Sequence, residues 1–503
     1  MQRSSSRLVR VLVSVLALAG LVSAQTPREE LLGTWDGTYE PPGVVGGDPF
    51  SLLVDHVDGR AVAGTLVFPT GPVRFTGTFE PVRQVLALAT SESDGEVLRA
   101  ELVLAEAALV GQGTTKDAQW GFRVARANSE VLERSHAPRV VDLASQERPE
   151  TFSLVGLDEE LGFQLDDLTS TFAARNAVVG FSVACVVDGE LVDVRSRGWE
   201  DFFAGIPASD ETRYRWASIS KPMTSCAAAR LAKAGVLDLD RDVRELVPEF
   251  PAKEVGGKPA VVTPRRILCH QSGIVHYQGA IRTWREYDTP YPFEELVNAL
   301  DVFRESPLAF APGTKESYST HAWTLLGLVM ERAAKRPYVD VVRELVLEPA
   351  GMKTTEPDRI SHAIPHRAAG YEETPDKKLL EVFPDDVSWK LPGGGWISTV
   401  GDLARFGAAL TGTKVLDDEQ KRLLWTRQKL ADGTEAGSGM GFELGELGGE
   451  RVVSHSGGQR KASSFLVIFP ERRLAVAVMS NTESAPMGEL ARSVLMMLRK
   501  AQE

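Results

Sequence analysis

The sequence is poor in several features that define whole classes of protein. Only 3 of its 503 residues are cysteine, which is too few for a disulfide-stabilised scaffold. Its 56 Lys and Arg are outnumbered by 69 Asp and Glu, giving a net charge of −13. An acidic chain lacks the positive field that attracts phosphate backbones and anionic membranes. We therefore expect no nucleic-acid partner, and we expect Cys185, Cys226 and Cys269 to be small buried apolar residues.

Three common catalytic signatures are also absent from the sequence. It contains no G-x-S-x-G, no H-E-x-x-H and no Gly-Lys pair followed by Ser or Thr. These absences exclude an α/β-hydrolase elbow, a zinc protease of that type and a phosphate-binding loop. His362 and His366 are four residues apart, but Pro365 between them breaks the helical spacing that a metal pair needs. We expect no metal ion and no organic cofactor.

Long apolar segments are missing apart from one short run near the N-terminus. Three arginines precede the apolar residues 11–22, and Val22-Ser23-Ala24 places small residues after them. The run of 12 residues is too short to cross a bilayer as a helix. A basic start, a short apolar core and small residues at its end are typical of a secretory signal peptide. The sequence predicts a signal peptide at 1–24, no membrane span, and export to the periplasm or the extracellular space.

The rest of the chain divides into two regions with different patterns. From residue 31 to 126, short alternating segments are separated by Gly, Pro and Asp, as in an antiparallel sandwich or small barrel. We predict an all-β accessory domain at 27–127 and a polar linker at 128–155. From residue 156 to 503, strand hairpins at both ends enclose a helical stretch, which predicts an α+β domain with an antiparallel sheet flanked by helices.

Each of these hairpins has a local signature. Residues 178–187 and 191–194 flank Asp188-Gly189, a pair that favours a type I′ turn. Residues 464–469 and 474–479 flank a Pro-Glu-Arg-Arg turn, and a helix is predicted over 486–500. Both ends of the second region therefore supply strands to one sheet.

The chemistry of the second region begins at Ser218-Ile219-Ser220-Lys221. Ser218 is the only serine in the sequence with a lysine three residues later, and a helix would place the two side chains on one face. A serine hydroxyl needs a base beside it, and a lysine can serve when desolvation lowers its pKa. The helix N-terminus also offers backbone N–H groups to an oxyanion. These residues predict a serine nucleophile with a lysine base.

Two further motifs follow in chain order. Tyr318-Ser319-Thr320 comes after a Pro-Gly turn and directly before a helical pattern, and a tyrosine hydroxyl beside a lysine can relay protons. His455-Ser456-Gly457-Gly458 leads into a strand. Glycine there would let a substrate backbone approach closely, and the Gly458 N–H can complete an oxyanion hole.

With these three motifs the sequence resembles the serine β-lactamase and penicillin-binding protein family, and most closely its mitochondrial serine β-lactamase-like branch. Further matching stretches, in order, are 235–240, 247–251, 268–274 and 393–399. The likeness covers residues 161–481 and leaves out the β-rich region. It implies a β-lactamase/transpeptidase-like fold with a helical subdomain beside the sheet.

The resemblance also implies a role for the reacting residues. Ser218 would be the acylated nucleophile and Lys221 its proton acceptor. Tyr318 would share the acid–base work, and His455 would bind or polarise the substrate. The bond broken would be an amide, an ester or a lactam, through an acyl-enzyme that water finally resolves, without a metal.

The binding residues follow from the same resemblance. The N–H groups of Ser218 and Gly458 would form the oxyanion hole, and Thr320, Ser456 and Gly457 would contact the substrate. Thr320 stands where many β-lactamases carry Asn, and histidine replaces the lysine of the third motif. The fixed positive charge for a β-lactam carboxylate is therefore missing near pH 7. A deacylating Glu of the class A kind is not identified.

The sequence thus predicts an exported serine hydrolase that acts on a small-molecule or peptide substrate. The alternative is a non-catalytic cell-envelope protein that retains the fold for binding or assembly. Self-association fits either reading, and the ligand of the β-rich domain stays open.

Overall fold

The computed structural model describes residues 11–12, the strands between 33 and 126, and residues 140–277, 293, 295–359, 364–374, 376–382 and 386–503. Most of the predicted signal peptide (1–24) and the first part of the predicted linker (128–139) lie outside the described residues. Val11–Leu12 forms a two-residue strand.

The N-terminal strands are β1 (Val11–Leu12), β2 (Gly33–Glu40), β3 (Asp48–Asp58), β4 (Ala61–Phe68), β5 (Gly71–Glu80), β6 (Val85–Thr90), β7 (Arg99–Ala105), β8 (Ala108–Thr114) and β9 (Gln119–Arg126). The strands that follow are β10 (Val140–Val141), β11 (Glu150–Val155), β12 (Gly180–Val187), β13 (Glu190–Asp201), β14 (Ile206–Pro207), β15 (Arg213–Arg215), β16 (Lys253–Val255), β17 (Lys258–Ala260), β18 (Glu356–Pro357), β19 (Gly370–Glu373), β20 (Leu379–Val382), β21 (Trp396–Thr399), β22 (Glu443–Leu447), β23 (Glu450–Gln459), β24 (Ala462–Phe469) and β25 (Leu474–Ser480).

The α-helices of the described residues are α1 (Glu159–Arg175), α2 (Ser220–Lys233), α3 (Pro264–Leu268), α4 (Leu296–Ala299), α5 (Thr320–Ala334), α6 (Tyr338–Val342), α7 (Glu348–Ala350), α8 (Leu391–Gly394), α9 (Val400–Thr411), α10 (Asp418–Leu424) and α11 (Met487–Ala501). A π-helical turn, Arg343–Leu347, joins α6 to α7. Short 3₁₀ turns lie at Leu143–Ser145, Ala217–Ile219, Val243–Glu245, Leu300–Val302 and Ser388–Lys390.

Strands β2 to β9 form a closed antiparallel barrel. Each pairs with the next, and β9 pairs with β2 as well as with β8. Buried side chains alternate along the strands, as at Leu52 and Val54, because successive side chains of a strand point to opposite faces. Of the two architectures that the sequence predicts for this region, a sandwich and a small barrel, the structure shows the barrel.

The main sheet of the second region is antiparallel, in the order β11-β13-β12-β25-β24-β23-β22. The first predicted hairpin is β12 and β13. Its turn residues Asp188 (φ 53°) and Gly189 (φ 79°) both have the positive φ of a type I′ turn. The second is β24 and β25, which α11 follows. The predicted α+β fold, with an antiparallel sheet and flanking helices, is confirmed.

Helices cover both faces of this sheet. Along β24, Leu466 and Ile468 pack in the core shared with α2, α5 and α9, whereas Phe465 and Val467 pack in the core shared with α1 and α11. The strand is apolar on both faces because both are covered. Helix α2 is buried in the first of these cores, which places the residues at its start deep in the molecule.

Three findings on the described residues bear on the other expectations. Strand β11, at 150–155, lies within the range predicted as a linker, yet it pairs with β13 at the edge of the sheet. Its side chains remain largely exposed, so its composition resembles that of a linker. The three cysteines are buried and unpaired, as predicted. No helix of the described residues is long and apolar enough to span a membrane.

Candidate active site

Ser218 lies in a tight turn that leads into α2. The turn is the 3₁₀ segment Ala217–Ile219, and Pro222 stands in the first turn of the helix, where a residue without an N–H is tolerated. Ala217 has a φ of 49°, in the left-handed region that costs a non-glycine residue about 1–3 kcal/mol. The strained backbone directs the partly exposed Ser218 away from the core.

Hydrogen bonds from neighbouring elements hold this strained turn in place. The Trp216 N–H donates to the carbonyl of Trp396 at 2.8 Å, and Ser464 Oγ donates to the Trp216 carbonyl at 2.8 Å. Ser220 Oγ donates to the Ala217 carbonyl at 2.7 Å. Strands β21 and β24 and the helix therefore all fix the position of the serine.

Lys221 lies beside Ser218, as their spacing predicts. Its Nζ is 3.1 Å from Ser218 Oγ, 3.2 Å from Thr320 Oγ1 and 2.7 Å from the Gly393 carbonyl. The carbonyl only accepts, and the threonine hydroxyl is placed to accept as well. A neutral amine that donates to these two groups keeps its lone pair for the Ser218 hydroxyl.

The surroundings of Lys221 favour that neutral form. The side chain is fully buried, and desolvation lowers its pKa well below the usual value, assisted by the positive charge of Lys390. Gly393 makes the close packing around the amine feasible: a Cβ there would lie 2.9 Å from the Thr320 methyl. Among the described residues, no carboxylate hydrogen-bonds to Lys221.

Tyr318 reaches the same serine from a distant part of the chain. It precedes Ser319, whose hydroxyl caps α5 by accepting from the Ala322 N–H at 3.2 Å. Tyr318 OH donates to Ser218 Oγ at 2.5 Å, and its ring centroid is 4.6 Å from Lys221 Nζ. Loss of solvent around the hydroxyl raises the pKa of Tyr318 to about 12, so the phenol is a proton donor at neutral pH.

Two histidines that the sequence left without a catalytic role support Tyr318. The His270 ring stacks on the tyrosine ring with centroids 4.5 Å apart, and its Nδ1 accepts from the Ser319 N–H. His276 meets the tyrosine edge-on at 5.3 Å, and its Nδ1 accepts from the Thr320 N–H. Burial lowers the pKa of both histidines, that of His276 to about 4, so both are neutral supports.

His455 of the third motif is also buried and uncharged. Its Nδ1 lies 2.6 Å from the Ser456 carbonyl, and only 6% of its surface is exposed. Burial lowers its pKa to about 4, although the nearby Glu443 acts in the opposite direction. The expected absence of a fixed positive charge at this position therefore holds near pH 7.

The glycines of the third motif bring β23 against the serine turn. A Cβ at Gly457 would lie 2.4 Å from the Trp216 carbonyl and 2.1 Å from Ser464 Oγ. The space beside Gly457 is thus filled by the protein, where the sequence predicted contact with substrate. Gly458 is exposed with no atom within 4 Å of a Cβ position, so its side of the strand is open.

The N–H of Ser456 shows which way this strand faces. It donates to Oε1 of Glu443 at 3.3 Å, on the side away from β24. Backbone N–H groups two residues apart point to the same edge of a strand. The Gly458 N–H therefore points to the open edge as well, as the predicted oxyanion hole requires.

The structure thus brings together residues from three separate motifs. Thr320, predicted to contact substrate, is 1% exposed and accepts from Lys221. Sequence reasoning assigned no site role to Glu443, His270 or His276. His270 lies in the matching stretch 268–274, but none of the three belongs to the three catalytic motifs. Within the part of the chain that the structure describes, no group of three or more His, Cys, Asp or Glu is arranged to hold a metal ion.

Comparison with known proteins agrees with this architecture. A family model described as Beta-lactamase matches residues 165–498. The serine beta-lactamase-like protein LACTB, mitochondrial, of Mus musculus is 30% identical over 400 residues, which is 61% of this chain and 72% of that protein. Esterase EstB of Burkholderia gladioli is 31% identical over 252 residues, 46% of this chain and 61% of that protein.

Solved structures show the same fold. The octameric penicillin-binding protein homologue from Pyrococcus abyssi superposes with a TM-score of 0.57 at 25% identity, covering 68% of this chain and 78% of that one. The D-amino acid amidase from Ochrobactrum anthropi superposes with a TM-score of 0.56 at 22% identity, covering 68% of this chain and 100% of that one.

Proposed function

The chain belongs to the Beta-lactamase family and is a serine hydrolase of that type, and from this premise we propose that it cleaves ester and amide bonds through an acyl-enzyme on Ser218. One observation carries the proposal. Ser218 Oγ lies 3.1 Å from a buried lysine amine and accepts a hydrogen bond from a tyrosine hydroxyl at 2.5 Å. Base, nucleophile and acid are in direct contact.

In the proposed acylation, the neutral Lys221 amine takes the proton of Ser218 as Oγ attacks the substrate carbonyl. The oxyanion is held by the N–H groups of Ser218 and Gly458. The phenol of Tyr318 gives its proton to the leaving nitrogen or oxygen, and the proton on Lys221 restores the phenol. The C–N or C–O bond then breaks and leaves an ester on Ser218.

Water resolves this ester by the reverse relay. The phenol and amine together remove one proton from water, the hydroxide adds to the acyl carbonyl, and Ser218 leaves with the proton. Similarity to a protein named as an esterase and to one described as an amidase supports both bond types. The uncharged His455 gives no cation for the carboxylate of a β-lactam, so we place esters and amides ahead of lactams.

The experiment is intact-mass measurement after brief exposure to a nitrophenyl ester and, separately, to a penicillin. We compare the wild type with Ser218→Ala and with Ser225→Ala, whose buried hydroxyl lies on α2 without a partner. An acyl adduct or released nitrophenol in the wild type and S225A, absent in S218A, supports the proposal. Equal turnover by S218A contradicts it. A stable penicillin adduct would place lactams among the acyl donors.

We also propose export, on the basis of the basic and apolar N-terminus alone. Expression of the full chain in a bacterial host, fractionation, and mass spectrometry of the mature N-terminus test this. Cleavage after Ala24 and recovery outside the cytoplasm are expected. An intact N-terminus on cytoplasmic protein would contradict the proposal without affecting the hydrolase chemistry.

We further propose that the barrel and the hydrolase region fold independently. Residues 140–503 contain all the residues of the candidate active site. Expressed alone, this fragment should keep Ser218-dependent turnover within a few-fold of the full chain. Aggregation of the fragment, or loss of its turnover, would show that the barrel completes the hydrolase.

A further inference from the structure

A carboxylate stands at the open edge of β23, directly beside the motif that carries the proposed oxyanion hole. Glu443 is the first residue of β22 and pairs with Ser454 of β23. Its Oε1 accepts from Ser456 Oγ at 2.9 Å and from the Ser456 N–H at 3.3 Å. Its Oε2 accepts from Ser454 Oγ at 3.3 Å.

This carboxylate is close to the reacting groups. Ser456 adjoins Gly457, which packs against the Trp216 carbonyl two residues before Ser218. The Gly458 N–H lies two residues further along β23, about 7 Å away at the rise of a strand. A group bound by Glu443 would therefore lie only a few atoms from a carbonyl held in the oxyanion hole.

Glu443 is accessible, and within the part of the chain that the structure describes it has no cationic partner. The residue is partly exposed, and Ser456 and Gly458 beside it are exposed. None of the ion pairs among the described residues involves Glu443. A carboxylate has about four acceptor positions, and the three contacts above leave it able to accept one more donor.

The same contacts remove the donors that an anionic substrate would need. The Ser456 N–H and hydroxyl, predicted from the sequence to contact substrate, are both occupied by Glu443. His455 is uncharged near pH 7 for the reason given above. A substrate carboxylate placed here would meet a like charge, whereas an ammonium group would meet an unneutralised carboxylate.

We propose that Glu443 makes this site select acyl donors that carry an ammonium group a few atoms from the scissile carbonyl, as aminoacyl amides do, and reject those that carry a carboxylate there. This substrate class rests on the proposed acyl-enzyme function of Ser218. Glu443 is then a specificity-determining residue that binds substrate, and it takes no part in the proton transfers.

The test compares three amides that carry different charges on the group at the α-nitrogen: alanine p-nitroanilide (ammonium), its N-acetyl derivative (neutral) and its N-succinyl derivative (carboxylate), each as the D and the L isomer. Because the acyl groups also add bulk, the contribution of charge is taken from the change that Glu443→Gln makes. For the wild type we expect kcat/KM to fall in the order ammonium, neutral, carboxylate, by about tenfold or more between the first and the last. One charge-assisted contact accounts for a difference of that size.

Glu443→Gln keeps the shape and an acceptor for Ser456 while removing the charge. We expect it to lower kcat/KM for the ammonium substrate and to raise it for the succinyl substrate, so that the preference collapses. Glu446→Gln is the matched control, since Glu446 lies on the same strand, pairs with Arg451 and is exposed. It should leave the preference unchanged.

Each outcome decides the proposal. Ser218-dependent turnover with equal kcat/KM for the three amides in the wild type overturns the specificity alone and leaves the hydrolase function standing. A preference that survives in E443Q also overturns it. If none of the three amides shows Ser218-dependent turnover, both the specificity of Glu443 and the proposed amide cleavage are overturned. If E443Q does not fold, the salt dependence decides: the wild-type preference must shrink at high salt, and a constant preference overturns the proposal.

Discussion

The amine nitrogen of the fully buried Lys221 lies 3.1 Å from the hydroxyl oxygen of the partly exposed Ser218. The amine also contacts the Gly393 carbonyl and the Thr320 hydroxyl, and desolvation lowers its pKa well below the usual value. Tyr318, with a pKa raised to about 12, holds its proton more firmly. The two shifts point to Lys221 as the base and to Tyr318 as the acid.

Replacement of the lysine tests the first assignment. Lys221→Arg introduces a guanidinium that stays protonated and cannot accept a proton, and Lys221→Met removes the amine. We expect both to reduce the rate of acylation by about 10²–10⁴-fold, the usual contribution of a general base. Stopped-flow release of nitrophenol from an ester measures this rate. An arginine variant that keeps a tenth of the wild-type rate would make Tyr318 the base.

Burial of this lysine also has a consequence for stability. Because its pKa is lower in the folded state, the unfolded state binds more protons between that lowered pKa and about 10.4, the ordinary value. Below this pH range the buried lysine lowers the free energy of unfolding by its full amount, and this destabilisation disappears as the pH rises through the range. Lys221→Met should raise the free energy of unfolding at pH 7, with the gain vanishing above about pH 10.4. Lys500→Met, an exposed control, should show no such gain.

The protonated state of Tyr318 predicts a dependence on the leaving group. Tyr318→Phe keeps the ring contacts with Lys221 and His270 and removes only the hydroxyl. A nitrophenolate leaves without a proton, whereas an amine must be protonated as it leaves. We expect kcat/KM for an amide to fall about tenfold more than kcat/KM for a nitrophenyl ester. Equal losses for the two substrates would show that the hydroxyl acts before the leaving group departs.

The close approach of β23 to the serine turn predicts opposite outcomes at adjacent glycines. Gly457→Ala would place a Cβ 2.4 Å from the Trp216 carbonyl, so the strand must shift away from Ser218. We expect a loss of acylation of about 10²-fold and a lower melting temperature. Gly458→Ala meets no atom within 4 Å and keeps its N–H, so its activity should stay within a few-fold of wild type. Equal effects would contradict this packing argument.

Part of this site could be predicted because its spacing is local. Ser218 and Lys221 are three residues apart at the start of a helix, and such a pair shares one face in almost any context. The hairpin turn at Asp188-Gly189 was likewise predictable, since both residues tolerate a positive φ. Tyr318 could be proposed as a partner only through the order of the motifs in a known family.

The remainder depends on contacts between distant parts of the chain. Glu443 belongs to no motif, and it reaches Ser456 only through the register of β22 on β23. His270 supports Tyr318 across 48 residues of sequence, through ring stacking that no local pattern indicates. The depressed pKa values arise from burial, which the sequence gives only as a tendency.

The buried histidines predict a loss of stability in mild acid. Four of them have lowered pKa values in the folded state: His270, His276, His321 and His455. An unfolded histidine has a pKa of about 6.5, whereas the folded values for the last three are about 3 to 4. At a pH between these values the unfolded state therefore binds more protons than the folded state. Stability is therefore lost as the pH falls through that range, by about 1.4 kcal/mol per pH unit for each histidine.

Urea unfolding between pH 5 and pH 7 measures this slope, and that interval lies above the range in which most carboxylates titrate. His321→Phe should reduce the slope by the contribution of one histidine, because a phenyl ring does not titrate. The ring can keep the stacking on Phe303, whose centroid lies 4.8 Å away. A wild-type free energy of unfolding that stays constant across the interval would mean that these histidines take up protons without unfolding. His270 and His276 would then not be the neutral supports of Tyr318 that their acceptor contacts require.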